Sequence, residues 1–343
     1  MDTSRYVYNR ALEGIKVFKD NINFKTLRNR FVTSKNNPNV KKWELKTPKD
    51  IRSSVIKELE TAYKNGFQAL NTGQITHFSL QYRSKKCYYP ISIPHTAIKI
   101  INNKIIVYSS YGLGPIKVSK DKLPKSIKHG VKIFTQGNNR WFLSVPITIK
   151  SDNRRRINNI CALDPGVISF QTVYSENEIV KFNGNEKIKE EYTKMDKTQS
   201  LISKNTGRKR THLKRKLKKI YDKYHNLIND LHYKVINYLT KRYKIILLPH
   251  FESQDMIGKN RKSNRWLLGL KHYQFKERLI QKCSLIKNCS VMLVNEAYTS
   301  KTCGMCGTLN EVGNKRMFKC KKCHVSIDRD VNGARNIFLK YLK

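Results

Sequence analysis

The sequence predicts a multidomain α/β protein with three parts: a helical subdomain (residues 1–72), a small β-barrel-like domain (73–150) and an α/β sheet domain (157–343). Three patterns support this expectation. Apolar residues recur at helical spacing near the start, short β-rich segments separated by Gly, Pro and Asn follow, and strands then alternate with long helices. With 39% hydrophobic residues in 343, the chain can form several cores.

The helical subdomain is predicted from an apolar stripe. Its members recur three and four residues apart: Ile51, Val55, Ile56, Leu59, Ala62, Tyr63, Phe67 and Leu70. The segment Thr47–Asp50 supplies a cap-like start directly before the stripe. We therefore expect a helix to begin at this segment.

The second domain is predicted to consist of short strands. Six β-rich segments follow one another: Thr76–Tyr82, Cys87–Ile93, Ala97–Ile101, Lys104–Ser109, Val131–Thr135 and Arg140–Ile147. Short strands at such spacing are typical of a small barrel or sandwich. The polar, basic connector Ser151–Arg156 then marks the main domain boundary.

One long helix is predicted over Thr206–Arg242 in the third domain. Its later part carries an apolar stripe, and its start carries the basic residues Arg208, Lys209, Arg210, Lys214, Arg215 and Lys218. A helix that lines a channel for a polyanion would have this pattern, and a solvated helix face is the alternative. The basic run lacks the opposite charges that would pair with it at i,i+4, which favours the channel.

The charge balance indicates a nucleic-acid partner. A total of 69 Lys and Arg against 25 Asp and Glu gives a formal net charge of +44, and such an excess would repel itself without a polyanion. Residues 1–15 lack the apolar core of a secretory signal, and no apolar run is long enough for a membrane span. We expect an intracellular protein without a membrane partner, in the nucleus if the source is eukaryotic and in the host cell if it is viral.

Two Cys-x-x-Cys turns give the most specific signal in the chain. Cys303 and Cys306 form the first, and Cys320 and Cys323 form the second after thirteen intervening residues. Four thiolates on two such turns can surround one Zn²⁺ tetrahedrally. Because four sulfurs leave no open position for water, the zinc is expected to fold a ribbon over residues 299–326 and to take no part in catalysis.

Three aspartates stand out in a chain with few acids. Asp164 ends the apolar segment Ile160–Leu163, where a carboxylate is costly unless a metal or hydrogen-bond donors satisfy it. A turn-capping role is the alternative for Asp164. Asp328 and Asp330 stand at the start of the last predicted helix, where one can cap the helix and the other is left for another role. Carboxylates that share Mg²⁺ ions in this way fit phosphodiester hydrolysis.

Taken in order, these residues resemble the TnpB transposon-encoded nucleases and their eukaryotic and viral relatives, the Fanzor proteins. The resemblance rests on Leu163–Val167, Tyr298–Gly307, Cys320–Cys323 and Asp328–Ile337. It implies an RNase H-like (RuvC) nuclease domain with the ribbon inserted, preceded by a recognition subdomain and a wedge domain. It also implies a transposon-associated endonuclease that uses a guide RNA and Mg²⁺ to cut target DNA, with Asp164 as the first catalytic carboxylate and Asp330 as the last.

The middle catalytic acid departs from the usual TnpB pattern. The TnpB glutamate position corresponds here to Pro249, which cannot bind metal. Fanzor-like sequences offer a glutamate before the Tyr-Thr-Ser segment instead, and here that residue is Glu296. Glu296 is therefore the predicted third ligand of Mg²⁺, with Glu252 as the alternative.

The start of the chain also departs from the family pattern. Family members usually begin with a segment that supplies the first strand of the barrel domain, whereas this chain opens directly at Tyr6–Leu12. From this truncated N-terminus we expect a barrel without one edge strand and impaired binding of guide RNA. The alternative function is a transposition-associated protein that binds DNA or RNA and has lost cleavage.

Overall fold

The computed structural model divides the chain into two compact units, Met1–Thr148 and Ile149–Lys343. The structure describes residues 1–33, 37–85, 87–101, 104–112, 114–117, 123–124, 126–135, 140–148, 158–184, 186–250, 261–295, 297–311 and 316–342. The predicted boundary Ser151–Arg156 lies outside the described residues.

The first unit begins with three helices packed around one core. They are α1 (Asp2–Phe18), α2 (Phe24–Phe31) and α3 (Lys49–Asn71). α3 begins within the predicted helix start, and Leu12, Leu27, Ile56 and Leu59 are fully buried between the helices. The side chain of Asn23 caps α2, because its oxygen accepts hydrogen bonds from the first N–H groups of that helix.

The strand predicted at Thr76–Tyr82 is wrong, because the structure has no strand there. Phe78 and Leu80 of this segment instead pack against the core of the three helices. The Phe78 ring lies in the space that a side chain at Gly66 of α3 would need. Further along, the Asn9 amide of α1 bonds both the N–H and the C=O of Arg83, at 2.7 and 3.1 Å. The β-like apolar pattern of Thr76–Tyr82 therefore reflects packing on a helix surface. Sequence periodicity alone cannot distinguish such packing from pairing in a sheet.

Two small antiparallel sheets follow in the described part of the first unit. Their strands are β1 (Ile91–Ile93), β2 (Ile98–Ile101), β3 (Lys104–Val107), β4 (Ile116–Lys117), β5 (Val131–Thr135) and β6 (Trp141–Ser144). The sheet orders are β1-β5-β6 and β2-β3-β4, and Ile93, Ile105 and Val131 from both sheets enter one core. Every one of these strands except β4 lies within one of the six predicted β-rich segments. The closed barrel stays a prediction.

A five-stranded mixed sheet forms the centre of the second unit. Its strands are β7 (Asn158–Pro165), β8 (Ser169–Tyr174), β9 (Ile179–Asn183), β10 (Tyr243–Pro249) and β11 (Ser290–Val294), in the order β11-β10-β7-β8-β9. The first three strands form an antiparallel meander, and β10 and β11 run parallel to β7. The parallel strands therefore end at the same edge of the sheet.

Helices cover both faces of this sheet. They are α4 (Glu186–Ser203), α5 (Gly207–Arg242), α6 (Arg261–Gly269), α7 (His272–Ser284) and α8 (Arg329–Leu342). α5 confirms the predicted long helix, whereas α4 was not predicted separately. Cys161 and Leu163 of β7 belong to the core formed with α4, α5 and α7, and Ala162 packs with Ile337 and Phe338 of α8. Alternate residues of β7 thus face opposite helix layers.

The ribbon precedes α8 and contains β12 (Met317–Lys319) and β13 (Ser326–Asp328), which pair antiparallel. None of the helices in the described ranges is long and apolar enough to cross a membrane.

Candidate metal centres

Asp164 lies at the carboxyl end of the central strand β7, on the side that α8 covers. Side chains alternate along a strand, so Asp164 faces the same way as Ala162, which packs against α8. Across the meander it is paired with Thr172 of β8, a fully buried residue. The placement explains how an acid can follow an apolar strand: the carboxylate is only partly buried, at the sheet edge.

The first turns of α8 approach this carboxylate closely. A Cβ added at Gly333 would lie 2.9 Å from Oδ2 of Asp164 and 3.2 Å from its Cγ, closer than ordinary packing allows. A side chain at this position would therefore displace the Asp164 carboxylate. Asp330 stands one turn before Gly333, and residues three apart share a helix face. Asp164 therefore lies beside the part of α8 that carries Asp330.

Asp328 has a structural role at the same helix start. Its Oδ1 accepts hydrogen bonds from the N–H of Asp330 at 3.0 Å and of Val331 at 3.3 Å, which caps α8. Its other oxygen lies 2.6 Å from Nζ of Lys181 on β9. Burial would raise the pKa of Asp328, but the hydrogen bonds from Lys181 and from the helix N–H groups outweigh it and lower that pKa. Asp328 is held as an anion that fixes the start of α8.

The middle acid cannot be placed, because Glu296 and Glu252 both lie outside the described residues. The register of the sheet nevertheless shows which residues of β10 and β11 are level with β7. Ala162 pairs with Leu247 of β10, and Leu247 pairs with Met292 of β11. Two residues further along each strand, Pro249 is level with Asp164, and the chain reaches position 296 two residues after the end of β11.

The four predicted zinc cysteines come together in the structure. Their sulfurs all lie within 4.8 Å of one another. Two pairs, Cys303 with Cys323 and Cys306 with Cys320, are 3.6 Å apart. Four sulfurs at about 2.3 Å from one tetrahedral zinc ion would be about 3.8 Å apart. Hydrogen bonding from the N–H of Cys323 lowers the pKa of Cys320 to about 6, which favours the thiolate that binds metal. The donor set fits a structural zinc.

Two buried asparagines of α8 attach the ribbon to the helix. Asn332 accepts a hydrogen bond from the N–H of Gly304 at 3.0 Å and donates to the C=O of Thr302 at 2.8 Å. Asn336 donates to the C=O of Thr299 and of Thr302, both at 2.7 Å. The first cysteine turn is therefore fixed to the helix that carries Asp330.

The basic start of α5 is exposed. Arg208, Lys209, Arg210, Lys214 and Arg215 are exposed and Lys218 is partly buried. Within the described part of the chain, no ion pair engages any of these six side chains. Lys223, one turn further along the helix, contacts Glu191 of α4 at 2.7 Å. The predicted polyanion-binding stretch thus lies on solvent-facing helix surface, and its charges are available to a ligand.

Sequence reasoning missed the residues that position the acids. Lys181 lies in an ordinary alternating strand and gave no signal. Gly333 lies within the segment Asp328–Ile337, but only the helix crossing shows that a side chain there would press on Asp164. The indole of Trp266 donates to the C=O of Val167 at 3.0 Å and so ties α6 to the turn after Asp164. An isolated Trp beside a basic stretch could have indicated such a contact.

The fold and the cysteine cluster define a mixed α/β protein with a four-cysteine ribbon next to its last helix, and comparisons with known proteins agree. The family model "Cas12f1-like, TNB domain" matches residues 272–337, and the model "Probable transposase" matches residues 144–257. "Putative transposase A625R" of Paramecium bursaria Chlorella virus 1 is 30% identical over 99% of this chain and 82% of its own length. The chain belongs to the TnpB family of transposon-associated proteins.

Other relatives cover different shares of the chain. "TnpB-like protein L79" of Acanthamoeba polyphaga mimivirus is 33% identical over 60% of this chain, which matches 41% of that protein. "Putative RNA-guided DNA endonuclease InsQ" of Escherichia coli K12 is 24% identical over 97% of this chain and 85% of its own. Among solved structures, a Cas12f1–sgRNA–target DNA complex matches with a TM-score of 0.55 at 15% identity, covering 98% of this chain and 80% of that one. This last likeness concerns the fold.

Proposed function

We propose that this protein is an RNA-guided DNA endonuclease that hydrolyses phosphodiester bonds at a Mg²⁺ centre built on Asp164 and Asp330. The observation that supports the proposal is the approach of Asp164 to Gly333, which follows Asp330 by one turn on the same helix. The relatives named above as endonuclease and transposase support the reaction class.

Two carboxylates near each other favour a divalent cation, because their mutual repulsion is relieved when a metal ion lies between them. Asp164 and Asp330 would hold the metal, together with Glu296 or, alternatively, Glu252. When bound there, a pair of Mg²⁺ ions supplies an attacking hydroxide and stabilises the leaving oxygen of the phosphodiester.

The remaining residues of the site hold these acids in place. Asp328, paired with Lys181, fixes the first turn of α8 without competing for the metal. The ribbon, with zinc on Cys303, Cys306, Cys320 and Cys323, braces the next turns of the helix. A catalytic carboxylate must keep its position to a fraction of an ångström, so this bracing bears directly on activity.

The nucleic-acid partners are inferred from charge and from the relatives. The basic start of α5, from Arg208 to Lys218, provides a row of exposed cations for the phosphates of a guide RNA or of target DNA. Binding of this kind is mainly electrostatic, so it must weaken steeply as salt concentration rises.

The test uses the full chain purified with the RNA that copurifies with it. Sequencing that RNA defines the guide, and DNA that matches it is then offered with Mg²⁺. We expect cleavage by the wild-type protein and none by Asp164→Asn or Asp330→Asn, because an amide keeps the shape but lacks the charge. Asp230→Asn is the matched control, since Asp230 is an exposed acid paired with Lys234 on α5.

Two further variants identify the middle acid. If Glu296 is the third ligand, Glu296→Gln abolishes cleavage and Glu252→Gln does not, and the reverse result assigns the role to Glu252. Equal cleavage by wild type and Asp164→Asn would refute the nuclease proposal. A wild-type protein that binds its RNA and never cuts matched DNA would instead select the alternative, a nucleic-acid-binding protein without cleavage.

A further inference from the structure

We propose that Cys289 is a site of oxidation by peroxides, with Cys283 as the second thiol that converts the oxidised sulfur into a disulfide. The two residues lie where α7 ends and β11 begins. They belong neither to the cysteine cluster of the ribbon nor to the proposed catalytic acids. The inference goes beyond the proposed nuclease function and does not depend on it.

The sulfurs of the two cysteines are in contact. Both residues are free thiols, and their Sγ atoms are 3.5 Å apart, whereas bonded sulfurs lie about 2.05 Å apart. Cys283 is in the last turn of α7 and Cys289 directly precedes β11, so only the short turn 284–288 separates them. Asn288 in this turn has a φ of +57°, in the left-handed region that asparagine adopts more readily than most residues. The turn therefore holds two thiols within reach of a bond.

The two thiols differ in their access to solvent. Cys283 is only 2% exposed and belongs to the core that α5 and α7 form with the sheet. Cys289 is partly buried and packs against the same core from its margin. Its sulfur also lies 3.6 Å from the C=O of Tyr243, the first residue of β10, so its position is fixed. Because oxidation of cysteines follows exposure, a small oxidant reaches Cys289 first.

A third thiol nearby does not compete for the oxidant. Cys161 on β7 is fully buried, and burial raises the pKa of its thiol well above the usual range, with a smaller contribution from Cys289. The thiolate is the form of cysteine that reacts with peroxides. Cys161 should therefore stay reduced while the other two cysteines react.

The chemistry takes two steps, with a peroxide as the oxidant. In the first step the O–O bond breaks, one oxygen bonds to the Cys289 sulfur as a sulfenic acid, and the other oxygen leaves with the thiol proton as water. In the second step the Cys283 sulfur attacks the Cys289 sulfur, and the hydroxyl group leaves with the Cys283 proton as a second water. Two electrons have then passed from the two thiols to the peroxide. A dithiol reductant reverses the bond by thiol–disulfide exchange.

The disulfide would join the end of α7 to the start of β11 by a covalent bond. A cross-link removes conformational freedom from the chain that it closes. We expect amide hydrogen exchange of residues 284–288 to become slower in the oxidised protein and to return to its original rate after reduction.

Peptide mapping tests the proposal directly. The full-length, zinc-loaded protein is treated with a small excess of hydrogen peroxide, the remaining thiols are alkylated, and trypsin is added. Cleavage after Lys282 and Lys287 places the two cysteines on different peptides, Cys283–Lys287 and Asn288–Lys301. We expect these peptides joined, two hydrogen atoms lighter than their sum, and separated again by dithiothreitol. Recovery of both as alkylated thiols from protein whose exposed Cys87 is already oxidised would overturn the proposal.

Three variants assign the roles of the two thiols. Cys289→Ser should remove the link, and Cys283→Ser should leave Cys289 as a sulfenic acid that dimedone traps on the peptide Asn288–Lys301. Cys87→Ser is the matched control and should form the link as the wild type does. A dimedone adduct on Cys283 in Cys289→Ser, with none on Cys289 in Cys283→Ser, would show that the buried thiol is attacked first, and the proposal would fail.

Zinc release separates this site from the ribbon, whose thiolates also react with peroxides. A colorimetric zinc assay over the same time course should show the link between Cys283 and Cys289 before zinc is lost. Loss of zinc while both cysteines stay reduced would contradict the proposal. Asp164→Asn should form the link as the wild type does, because the readout is the bond itself. The result is therefore readable whether or not the protein cleaves DNA.

Discussion

The ribbon with α8 and the basic start of α5 are both expected to serve nucleic-acid chemistry, but they are built on opposite principles. The ribbon is defined by short contacts, with four sulfurs within 4.8 Å and two asparagines bonded to its first turn. The start of α5 has exposed cations without ion-pair partners in the parts of the chain that are described. The first region acts through geometry and the second through summed charge.

This difference determines how each region should respond to change. A geometric site depends on each of its members, so one substitution can remove its function. A charged surface distributes its effect over many side chains, each of which contributes a small and salt-dependent part. We therefore expect the largest effects from changes in the ribbon and the smallest from single cations of α5.

Removal of the zinc should have the largest effect. Structural zinc contributes on the order of 10 kcal/mol to the folding of small zinc domains. Besides the cysteines, the core formed by the described residues of this ribbon consists of Phe318 with the partly buried Val325 and Ile327. A strong chelator, or Cys320→Ser, should unfold the ribbon and abolish cleavage. Hydrogen exchange of residues 299–326, measured with zinc content, checks this. Cys87→Ser is the control, because Cys87 is exposed and lies outside the cluster. Unchanged exchange in zinc-free protein would contradict the prediction.

Gly333→Ala should separate activity from stability. An added Cβ would press on the Asp164 carboxylate at 2.9 Å, and a displacement of about 1 Å in a reacting group can cost about 100-fold in rate. Alanine is nevertheless the better helix former, by about 1 kcal/mol. We therefore expect a large loss of cleavage with little loss of thermal stability. A Cβ added at Gly184 would lie 3.7 Å from the Trp266 ring, which is an ordinary contact. Gly184→Ala should therefore retain activity.

Sequence patterns anticipated the parts of the molecule that depend on local spacing. The two cysteine turns, the long helix α5 and the carboxyl end of β7 at Asp164 all have signals within a few residues. The helix crossing at Gly333 and the Lys181–Asp328 pair depend on segments far apart in sequence, which no local pattern contains. The wrong prediction of a strand at Thr76–Tyr82 has the same origin. The apolar residues of that segment pack on helices whose residues lie elsewhere in the sequence.

Asn336→Ala tests how the ribbon is attached to α8. The change removes the Asn336 donor from the C=O of Thr299 and one of the two side-chain donors from the C=O of Thr302, and the loss of a hydrogen bond to a buried group costs about 1–3 kcal/mol. We expect weaker zinc retention under chelation and a lower melting temperature, with the fold otherwise preserved. Asn237 on α5 is exposed, so Asn237→Ala is the control. If both variants retain zinc equally, the asparagine contacts do not hold the ribbon.

The smallest effect is expected for single cations of α5, and there the salt dependence is more informative than affinity. Lys214 is exposed, and if it binds one phosphate, Lys214→Gln should reduce the slope of log K against log salt by about 0.7–0.9 while weakening binding only modestly. Lys234 lies on the same helix but already contacts Asp230 at 2.7 Å. Its charge is therefore largely compensated, and Lys234→Gln should leave the slope unchanged. Equal slopes for the two variants would mean that the basic start of α5 does not bind phosphates. The contrast would then be wrong for α5, because that region would not act through its summed charge.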